Sequence, residues 1–153
     1  MASLFNIRVY GILITQNREV VVSDEFIRGG YFTKFPGGGL EFGEGTRECL
    51  RRELMEEMNL NVEIGDHIYT TDYFQMSAFN PTHQILSIYY YIHPKENINT
   101  IFKQTPFDFT PDQTANPTGE AEVFRLISLD EFDENSVSLP IDKIVARIIK
   151  EKH

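Results

Sequence analysis

The hydrophobic and polar positions along the chain predict several short strands. Apolar and β-branched residues fill residues 7–15 and return at residues 20–22, and the polar residues 16–18 between them predict a turn and therefore a hairpin. Further strands are predicted at residues 31–35, 62–74, 83–93 and 122–129. Three consecutive glycines at residues 37–39 interrupt regular structure and permit unusual backbone angles.

Two segments have the spacing of amphipathic helices. Residues 45–58 contain no proline, and their apolar stripe consists of Leu50, Leu54 and Met58. Asn59 is a suitable helix end because asparagine tolerates a left-handed backbone. A second helix begins at Pro140, and its apolar stripe consists of Ile141, Ile144, Val145, Ile148 and Ile149. Strands and helices therefore alternate, which predicts an α/β (α+β) fold around one mixed sheet.

The composition restricts the class of protein. A chain of 153 residues suffices for about one domain, so we expect a single domain over residues 1–153. Hydrophobic residues make up 41% and charged residues 24%, which is typical of a globular protein with a packed core. The net charge of −9 opposes polyanions, so neither nucleic acid nor an anionic membrane is expected as a partner. The sequence leaves a homodimer open.

The cysteine content and the N-terminal segment bear on the cellular compartment. Cys49 is the single cysteine, which excludes an internal disulfide and fits a reducing compartment; its ordinary role is that of a small buried residue. Arg8 interrupts the N-terminal segment before a secretory hydrophobic region could develop. No apolar run approaches the roughly 20 residues that a membrane span needs. We therefore expect a cytoplasmic protein.

Three glutamates of the first predicted helix share one face. At about 100° per residue, Glu53, Glu56 and Glu57 fall within an arc of about 100°. Glu53 and Glu57 are like charges at i, i+4, which is unfavourable unless a cation lies between them. Hard cations such as Mg²⁺ and Mn²⁺ prefer carboxylate and carbonyl oxygens. A solvated acidic face is the alternative, but this arc borders the buried stripe of the helix, which favours a metal site.

The residues around this arc resemble the signature of the Nudix hydrolase family, G-x5-E-x7-R-E-U-x-E-E-x-G-U, in which U is a bulky aliphatic residue. The match runs from Gly38 to Leu60, and every charged position is present at its spacing. These positions are Glu44, Arg52, Glu53, Glu56 and Glu57. Eight fixed positions over 23 residues make an accidental match very improbable.

Two positions depart from the family pattern. Asn59 replaces the usual glycine, and we expect little consequence because asparagine accepts the left-handed angle. Gly45 stands where family members often place Ser or Thr as the helix cap. Either Gly45 acts as a weaker cap with Glu48 three residues on, or Thr46 caps the helix one residue later.

The resemblance to MutT-type members implies a fold and a metal site. The fold would be a Nudix-like α/β/α sandwich with a central mixed β-sheet. Mg²⁺ or Mn²⁺ would be held by Glu53, Glu56 and Glu57 of the helix and by a backbone carbonyl of Gly37 or Gly38. In MutT-type members a further glutamate ahead of an aliphatic strand completes the site. Glu122 matches that position best, and Glu120 is the competitor.

The resemblance also implies a reaction. A nucleoside diphosphate linked to a group X would be hydrolysed to a nucleoside monophosphate and phosphorylated X. Glu53 is assigned as the base that takes the proton of water, although some family members take this base from a downstream loop. Arg52 and Glu44 are carried over as catalytic positions. Arg52 can also hold Glu56 in place, and Glu44 is either a further metal ligand or an orienting partner for Arg52. The alternative function is that of a catalytically silent Nudix-fold protein that binds nucleotides for regulation.

Residues outside the signature would recognise the rest of the substrate. Residues 97–119 form a long polar connection, and a connection of this length is usually functional or disordered. Its Phe107 and Phe109 could stack on a base or line X; a loop anchored by buried aromatic residues is the alternative. Arg28 could touch substrate, although a surface loop is its ordinary setting. The sequence does not name X, which could complete a nucleoside triphosphate, a nucleotide sugar or a dinucleotide.

Overall fold

The computed structural model describes residues 4–153 of the chain. The described strands are β1 (Leu4–Ile12), β2 (Glu19–Ile27), β3 (Gly30–Lys34), β4 (Gly37–Gly39), β5 (Val62–Thr70), β6 (His83–Pro94), β7 (Phe102–Lys103) and β8 (Glu120–Ser128). The α-helices are α1 (Thr46–Met58) and α2 (Pro140–Lys152). Neither of these helices is long and apolar enough to cross a bilayer. Residues 1–3, which belong to the segment used for the N-terminal prediction, lie outside the described residues.

The strands form two mixed sheets of four strands each. The first has the order β4–β1–β6–β5, in which β1 and β6 are parallel and the other neighbours are antiparallel. The second has the order β3–β2–β8–β7, in which only β7 and β8 are parallel. The predicted α/β (α+β) class is confirmed. The prediction of one mixed sheet is wrong, because the strands are divided between two mixed sheets.

The chain forms two compact units. The first unit takes in residues 36–99 and the described part of residues 1–12, and it contains the first sheet and α1. The second unit takes in residues 13–35 and 100–153, and it contains the second sheet and α2. That residues 1–153 are a single domain stays a prediction.

Helix α1 lies in the first unit and packs against β1, β4 and β5. Its stripe of Leu50, Leu54 and Met58 is buried, as predicted. Gly45 is the N-cap, and its N–H donates to the Glu48 side chain at 3.1 Å, so the first of the two predicted caps is the observed one. Asn59 ends the helix in the left-handed conformation with φ +49°, which confirms the predicted helix end.

The predicted hairpin at residues 7–22 is reduced to a single antiparallel bridge between Ile14 and Val20. Strand β1 belongs to the first sheet and β2 to the second. Each of the two strands has both edges paired with other strands, β1 with β4 and β6, and β2 with β3 and β8. Because β4 pairs with residues 8–10 of β1 and β3 with residues 23–27 of β2, the hairpin pairing is confined to the residues beside the turn.

The second unit contains the other predicted helix and the long connection. In α2 the side chains of Ile141, Val145 and Ile149 are buried, whereas Ile144 and Ile148 of the predicted apolar stripe are only half-buried. Residues 97–119 are partly ordered into regular structure. They contain β7, which pairs in parallel with β8, and a 3-10 helix at Pro111–Thr114.

Candidate active site

The glycine strand β4 borders the candidate site in the first unit. The prediction that three consecutive glycines interrupt regular structure is wrong here, because pairing with β1 orders them as a strand. It pairs with β1, with Gly38 opposite Val9 and Gly37 opposite Tyr10. Gly37 has φ +148°, and a Cβ at this position would collide with the Val9 carbonyl oxygen. A Cβ at Gly38 would lie 2.6 Å from Glu53 Oε2. Gly37 therefore requires glycine, whereas a side chain at Gly38 would displace the Glu53 carboxylate, which now lies directly against the backbone.

The three glutamates of α1 differ in exposure. The Glu53 side chain is 13% exposed, whereas that of Glu56 is 59% exposed. Glu57 is half-buried, and its Oε2 is withdrawn from solvent. The expectation that the carboxylates border the buried stripe is thus met by Glu53 and Glu57, while Glu56 lies on the solvent side.

Arg52 contacts three glutamates of the signature and a backbone carbonyl of β4. Its Nε donates to Glu44 Oε2 at 3.0 Å and its Nη2 to Glu44 Oε1 at 2.7 Å, which is a bidentate pair. Its Nη1 donates to Glu53 Oε1 at 3.0 Å and lies 3.3 Å from Glu56 Oε2. Its Nη2 also donates to the Gly39 carbonyl oxygen at 3.1 Å. The predicted partnerships of Arg52 with Glu44 and with Glu56 are confirmed.

The hydrogen bonds around Arg52 fix the charge states of its neighbours. The Arg52 guanidinium, followed by the Glu41 N–H, lowers the pKa of Glu44 to about 2. The hydrogen bond to Glu44 in turn raises the pKa of Arg52. Burial, reinforced by Glu44, raises the pKa of the Cys49 thiol to about 12. Glu44 and Arg52 are therefore a permanent ion pair near neutral pH, and Cys49 is a buried, protonated thiol, as its ordinary role predicts.

The residue types of this site suit a hard divalent cation. The side chains of α1 and the glycine carbonyls offer oxygen donors, and Glu53 has the close approach to β4 that such a site needs. Among residues 4–153, however, no three His, Cys, Asp or Glu side chains are grouped closely enough to hold a metal ion. The Arg52 guanidinium contacts both Glu53 and Glu56. Two of the three glutamates, Glu53 and Glu56, thus contact Arg52, and the three do not converge on one point.

The candidate ligand Glu122 lies in the second unit, on β8. It is directly opposite Glu25 of β2. The Ser23 hydroxyl lies 2.7 Å from Glu122 Oε2 and 3.0 Å from Glu25 Oε2, and Lys34 Nζ lies 3.5 Å from Glu25 Oε1. Burial, followed by the charge of Glu25, raises the pKa of Glu122 to about 7. The competitor Glu120 is exposed at the start of the same strand.

The predicted substrate-contacting residues also lie in the second unit. Phe107 and Phe109 both contact the ring of Tyr31, with centroids 5.4 Å and 6.2 Å away. The structure therefore brings these two phenylalanines together. Arg28 is exposed in the turn between β2 and β3, where its φ is +47° and its N–H donates to the Gly119 carbonyl oxygen.

The sequence analysis did not identify several charged residues that form ion pairs or hydrogen bonds near these positions. Glu25 and Lys34 join Glu122, and Asp24 pairs with Arg125 at 2.7 Å. The signal that could have found Asp24 and Arg125 is a charged residue within a strand of apolar residues, because such a position is usually buried and paired.

Comparison with known proteins identifies the family. The family model of the NUDIX domain matches residues 5–148, which is most of the chain. The chain belongs to the Nudix family. The prediction from the signature is thereby confirmed, and the match takes in residues of both compact units.

Solved structures share the fold of this Nudix chain at low sequence identity. A NUDIX hydrolase from Nitrosomonas europaea has 18% identity and a TM-score of 0.62, over 96% of this chain and 89% of that one. The MutT NUDIX hydrolase from Burkholderia pseudomallei has 14% identity and a TM-score of 0.64, over 95% and 98%. The E. coli ORF135 protein has 13% identity and a TM-score of 0.64, over 97% and 91%. Structural matches at identities this low support the shared fold alone. The Nudix fold prediction is confirmed.

Proposed function

We propose that this protein is a pyrophosphohydrolase that depends on Mg²⁺ or Mn²⁺. Its substrate would be a nucleoside diphosphate linked to a group X, and its products a nucleoside monophosphate and phosphorylated X, or pyrophosphate when the substrate is a nucleoside triphosphate. The observation that carries this proposal is the hydrogen-bond network of Arg52. It holds Glu44, Glu53 and the Gly39 carbonyl at the positions of an intact Nudix signature.

The cation would be held by oxygen donors of the first unit. We assign Glu53, Glu56 and Glu57 as its side-chain ligands and the carbonyl of Gly37 or Gly38 as its backbone ligand. When bound, the cation would offset the charge of the pyrophosphate and make the attacked phosphorus more electrophilic. Glu122 as a further ligand, with Glu120 as its competitor, stays a prediction of the family resemblance.

The side chains of the chain perform the remaining steps. Glu53 accepts the proton of the attacking water. Its carboxylate lies against Gly38 and is hydrogen-bonded by Arg52, so it is held in one orientation. Glu44 keeps Arg52 oriented through two hydrogen bonds. The net charge of −9 opposes an anionic substrate. Binding therefore requires local positive charge, which the cation would supply, because the charge of Arg52 is already paired with Glu44.

Recognition of the base or of X is assigned to the second unit. We propose Phe107, Phe109 and Arg28 as substrate-contacting residues, because two of the three share one aromatic cluster. The group X is not specified, and the proposed substrate is a nucleotide derivative. Cytoplasmic residence, the absence of nucleic-acid and membrane partners, and a homodimer stay predictions.

The test is a phosphate-release panel over nucleoside triphosphates, nucleotide sugars, ADP-ribose and dinucleotides, each with Mg²⁺ or Mn²⁺. We expect Glu53→Gln and Glu57→Gln to lower kcat on the active substrates by at least about a hundredfold. Glu63→Gln, at an exposed position of β5, is the matched control and should keep kcat within about twofold of the wild type. Full activity in both site variants would contradict the assignment.

A second measurement separates catalysis from binding. Calorimetric titration of Mn²⁺ into the pure protein should show uptake that Glu53→Gln and Glu57→Gln weaken. If the wild type binds nucleotides and Mn²⁺ but releases no phosphate in the panel, the protein is a nucleotide-binding member of the family and the proposed hydrolysis is wrong.

A further inference from the structure

The glycine strand β4 separates two charged side chains of the first unit. Glu53 of α1 lies on one face, where a Cβ at Gly38 would be 2.5 Å from its Oε1. Arg8 of β1 is the register partner of Gly39, and a Cβ at Gly39 would lie 3.7 Å from Arg8 Nη1. Because successive residues of a strand point to opposite faces, the Arg8 guanidinium lies against β4 on the face opposite Glu53.

The strand between these two side chains is narrow and bears no side chain of its own. It consists of three glycines and lies at one edge of the first sheet, so no side chain of β4 stands between a ligand at this edge and the groups on either face. A strand is about 5 Å wide, and a chain of three phosphates extends further than that. A single ligand at the edge of β4 can therefore place one phosphate on the Glu53 side and another against Arg8.

The half-buried Arg8 guanidinium is already oriented. Its Nε donates to the Tyr10 hydroxyl at 2.6 Å, and its Cζ lies 5.7 Å from the centroid of the Tyr10 ring. Tyr10 is buried and packs against Tyr89, with 5.4 Å between the ring centroids. A guanidinium that is fixed before binding loses little side-chain freedom when it pairs with an anion. The Tyr10 hydroxyl is neutral, so this contact orients Arg8 without cancelling its charge, whereas Arg52 is oriented by the Glu44 carboxylate.

We propose that Arg8 is a specificity-determining residue that binds the terminal phosphate of the substrate, and that Tyr10 is its positioning residue. This inference rests on the proposed function and specifies its substrate class: X is a phosphate, and the preferred substrate is a nucleoside triphosphate. A guanidinium matches the oxygens of a phosphate with two parallel hydrogen bonds. In a protein of net charge −9 the terminal phosphate needs such a local positive charge, whereas the uncharged sugar of a nucleotide sugar gains nothing from it.

The kinetic test compares a nucleoside triphosphate with a nucleotide sugar of the same nucleoside, and a compound that is not hydrolysed is measured as a competitive inhibitor. Arg8→Ala should raise KM for the triphosphate at least about tenfold, as expected for loss of a charge-assisted pair, and leave KM for the sugar within about twofold. Arg51→Ala removes the same charge from an exposed position of α1 and should leave both values within about twofold. Equal effects of Arg8→Ala on the two compounds would overturn the inference, because Arg8 would then recognise the part that they share. So would a wild type that prefers the nucleotide sugar.

Two milder variants keep the test valid if Arg8→Ala fails to fold. Arg8→Lys keeps the charge but not the fork of hydrogen-bond donors, and it should raise KM for the triphosphate severalfold. Tyr10→Phe removes the hydroxyl that orients Arg8 Nε. It should raise the same KM severalfold and change kcat by less than about twofold, because the phosphate contact acts equally in the ground state and the transition state. A KM for the triphosphate that is unchanged in both variants would overturn the inference.

The binding test requires neither metal nor turnover. Its probe is inorganic tripolyphosphate, and its readout is NMR of the arginine Nε–H groups of the full chain. The Arg8 resonance, assigned by its loss in Arg8→Lys, should shift saturably as the probe is added. The resonance of the exposed Arg51 should not shift. An Arg8 resonance that stays in place would overturn the inference.

The two proposals can fail separately. If the wild type hydrolyses no nucleotide but tripolyphosphate shifts the Arg8 resonance, the phosphate site stands and the proposed hydrolysis is wrong. If hydrolysis proceeds and requires Glu53, but tripolyphosphate leaves the Arg8 resonance in place and KM for the triphosphate does not depend on Arg8, the reverse holds.

Discussion

The guanidinium of Arg52 meets the carboxylate of Glu44 at two points, 3.0 Å from Nε to Oε2 and 2.7 Å from Nη2 to Oε1. Glu44 lies in the loop before α1, and Arg52 lies within the helix. The same guanidinium holds the Gly39 carbonyl at the end of β4. One side chain therefore fixes the strand, the loop and the helix that carry the signature with respect to one another.

Arg52→Lys should lower kcat/KM by at least about tenfold on any substrate of the panel. An ammonium group cannot make the two parallel hydrogen bonds to Glu44 together with those to Glu53 and Gly39, and each charge-assisted bond contributes about 1.5–3 kcal/mol. The measurement is steady-state phosphate release. Arg51→Lys, at an exposed position of the same helix, is the matched control. Equal losses in the two variants would show that the fork geometry of Arg52 has no part in the activity.

The Glu44–Arg52 pair makes folding stability depend on pH in the acid range. Arg52 lowers the pKa of Glu44 in the folded state from 4.5 to about 2. A carboxylate with a depressed pKa stabilises the folded state above its unfolded pKa, and this contribution is lost as the pH falls through the folded value. The urea midpoint of the wild type should therefore exceed that of Glu44→Gln near neutral pH. The difference should shrink between about pH 4.5 and pH 2; a constant difference would contradict the pairing.

Gly38→Ala should lower kcat by at least about tenfold, because small misplacements of a catalytic group cost this much. The new Cβ would lie 2.5 Å from Glu53 Oε1 and 2.6 Å from Oε2, so the carboxylate must move away. At Gly39 a Cβ would lie 3.7 Å from its nearest neighbour, Arg8 Nη1, which is an ordinary contact. Gly39→Ala is therefore the matched control, and it should lose much less activity than Gly38→Ala.

Asp24→Asn should destabilise the folded protein by about 3 kcal/mol, measured by urea unfolding, because it leaves the Arg125 charge without its buried partner. Glu134→Gln breaks the exposed pair with Arg147 and should cost less than about 1 kcal/mol. The double variant Asp24→Asn/Arg125→Met should recover part of the loss. If both single variants lower the free energy of unfolding equally, Asp24 does not form a buried ion pair with Arg125.

The signature segment could be predicted in detail because its information is local. The spacing of Leu50, Leu54 and Met58 defines the buried stripe of α1, and the left-handed tolerance of Asn59 defines its end. The hairpin at residues 7–22 was predicted from equally good local signals. It is reduced to one bridge because strand pairing depends on which other strands occupy each edge, and a local pattern contains no information about that.

The sequence by itself determined α1, the approximate positions of β1, β5 and β6, and the Nudix family, because the signals for these features lie within short segments. It placed Glu44 near Arg52 without deciding between a metal ligand and a partner of Arg52, and it did not predict β4, which is ordered by pairing with β1. The tertiary structure alone decided that Asp24 meets Arg125, 101 positions away, and that Phe107 and Phe109 meet on Tyr31. These contacts depend on the register of β2 with β8 and on a left-handed turn in a long connection. Register and loop conformation follow from packing between distant segments, and no pattern within either segment specifies them.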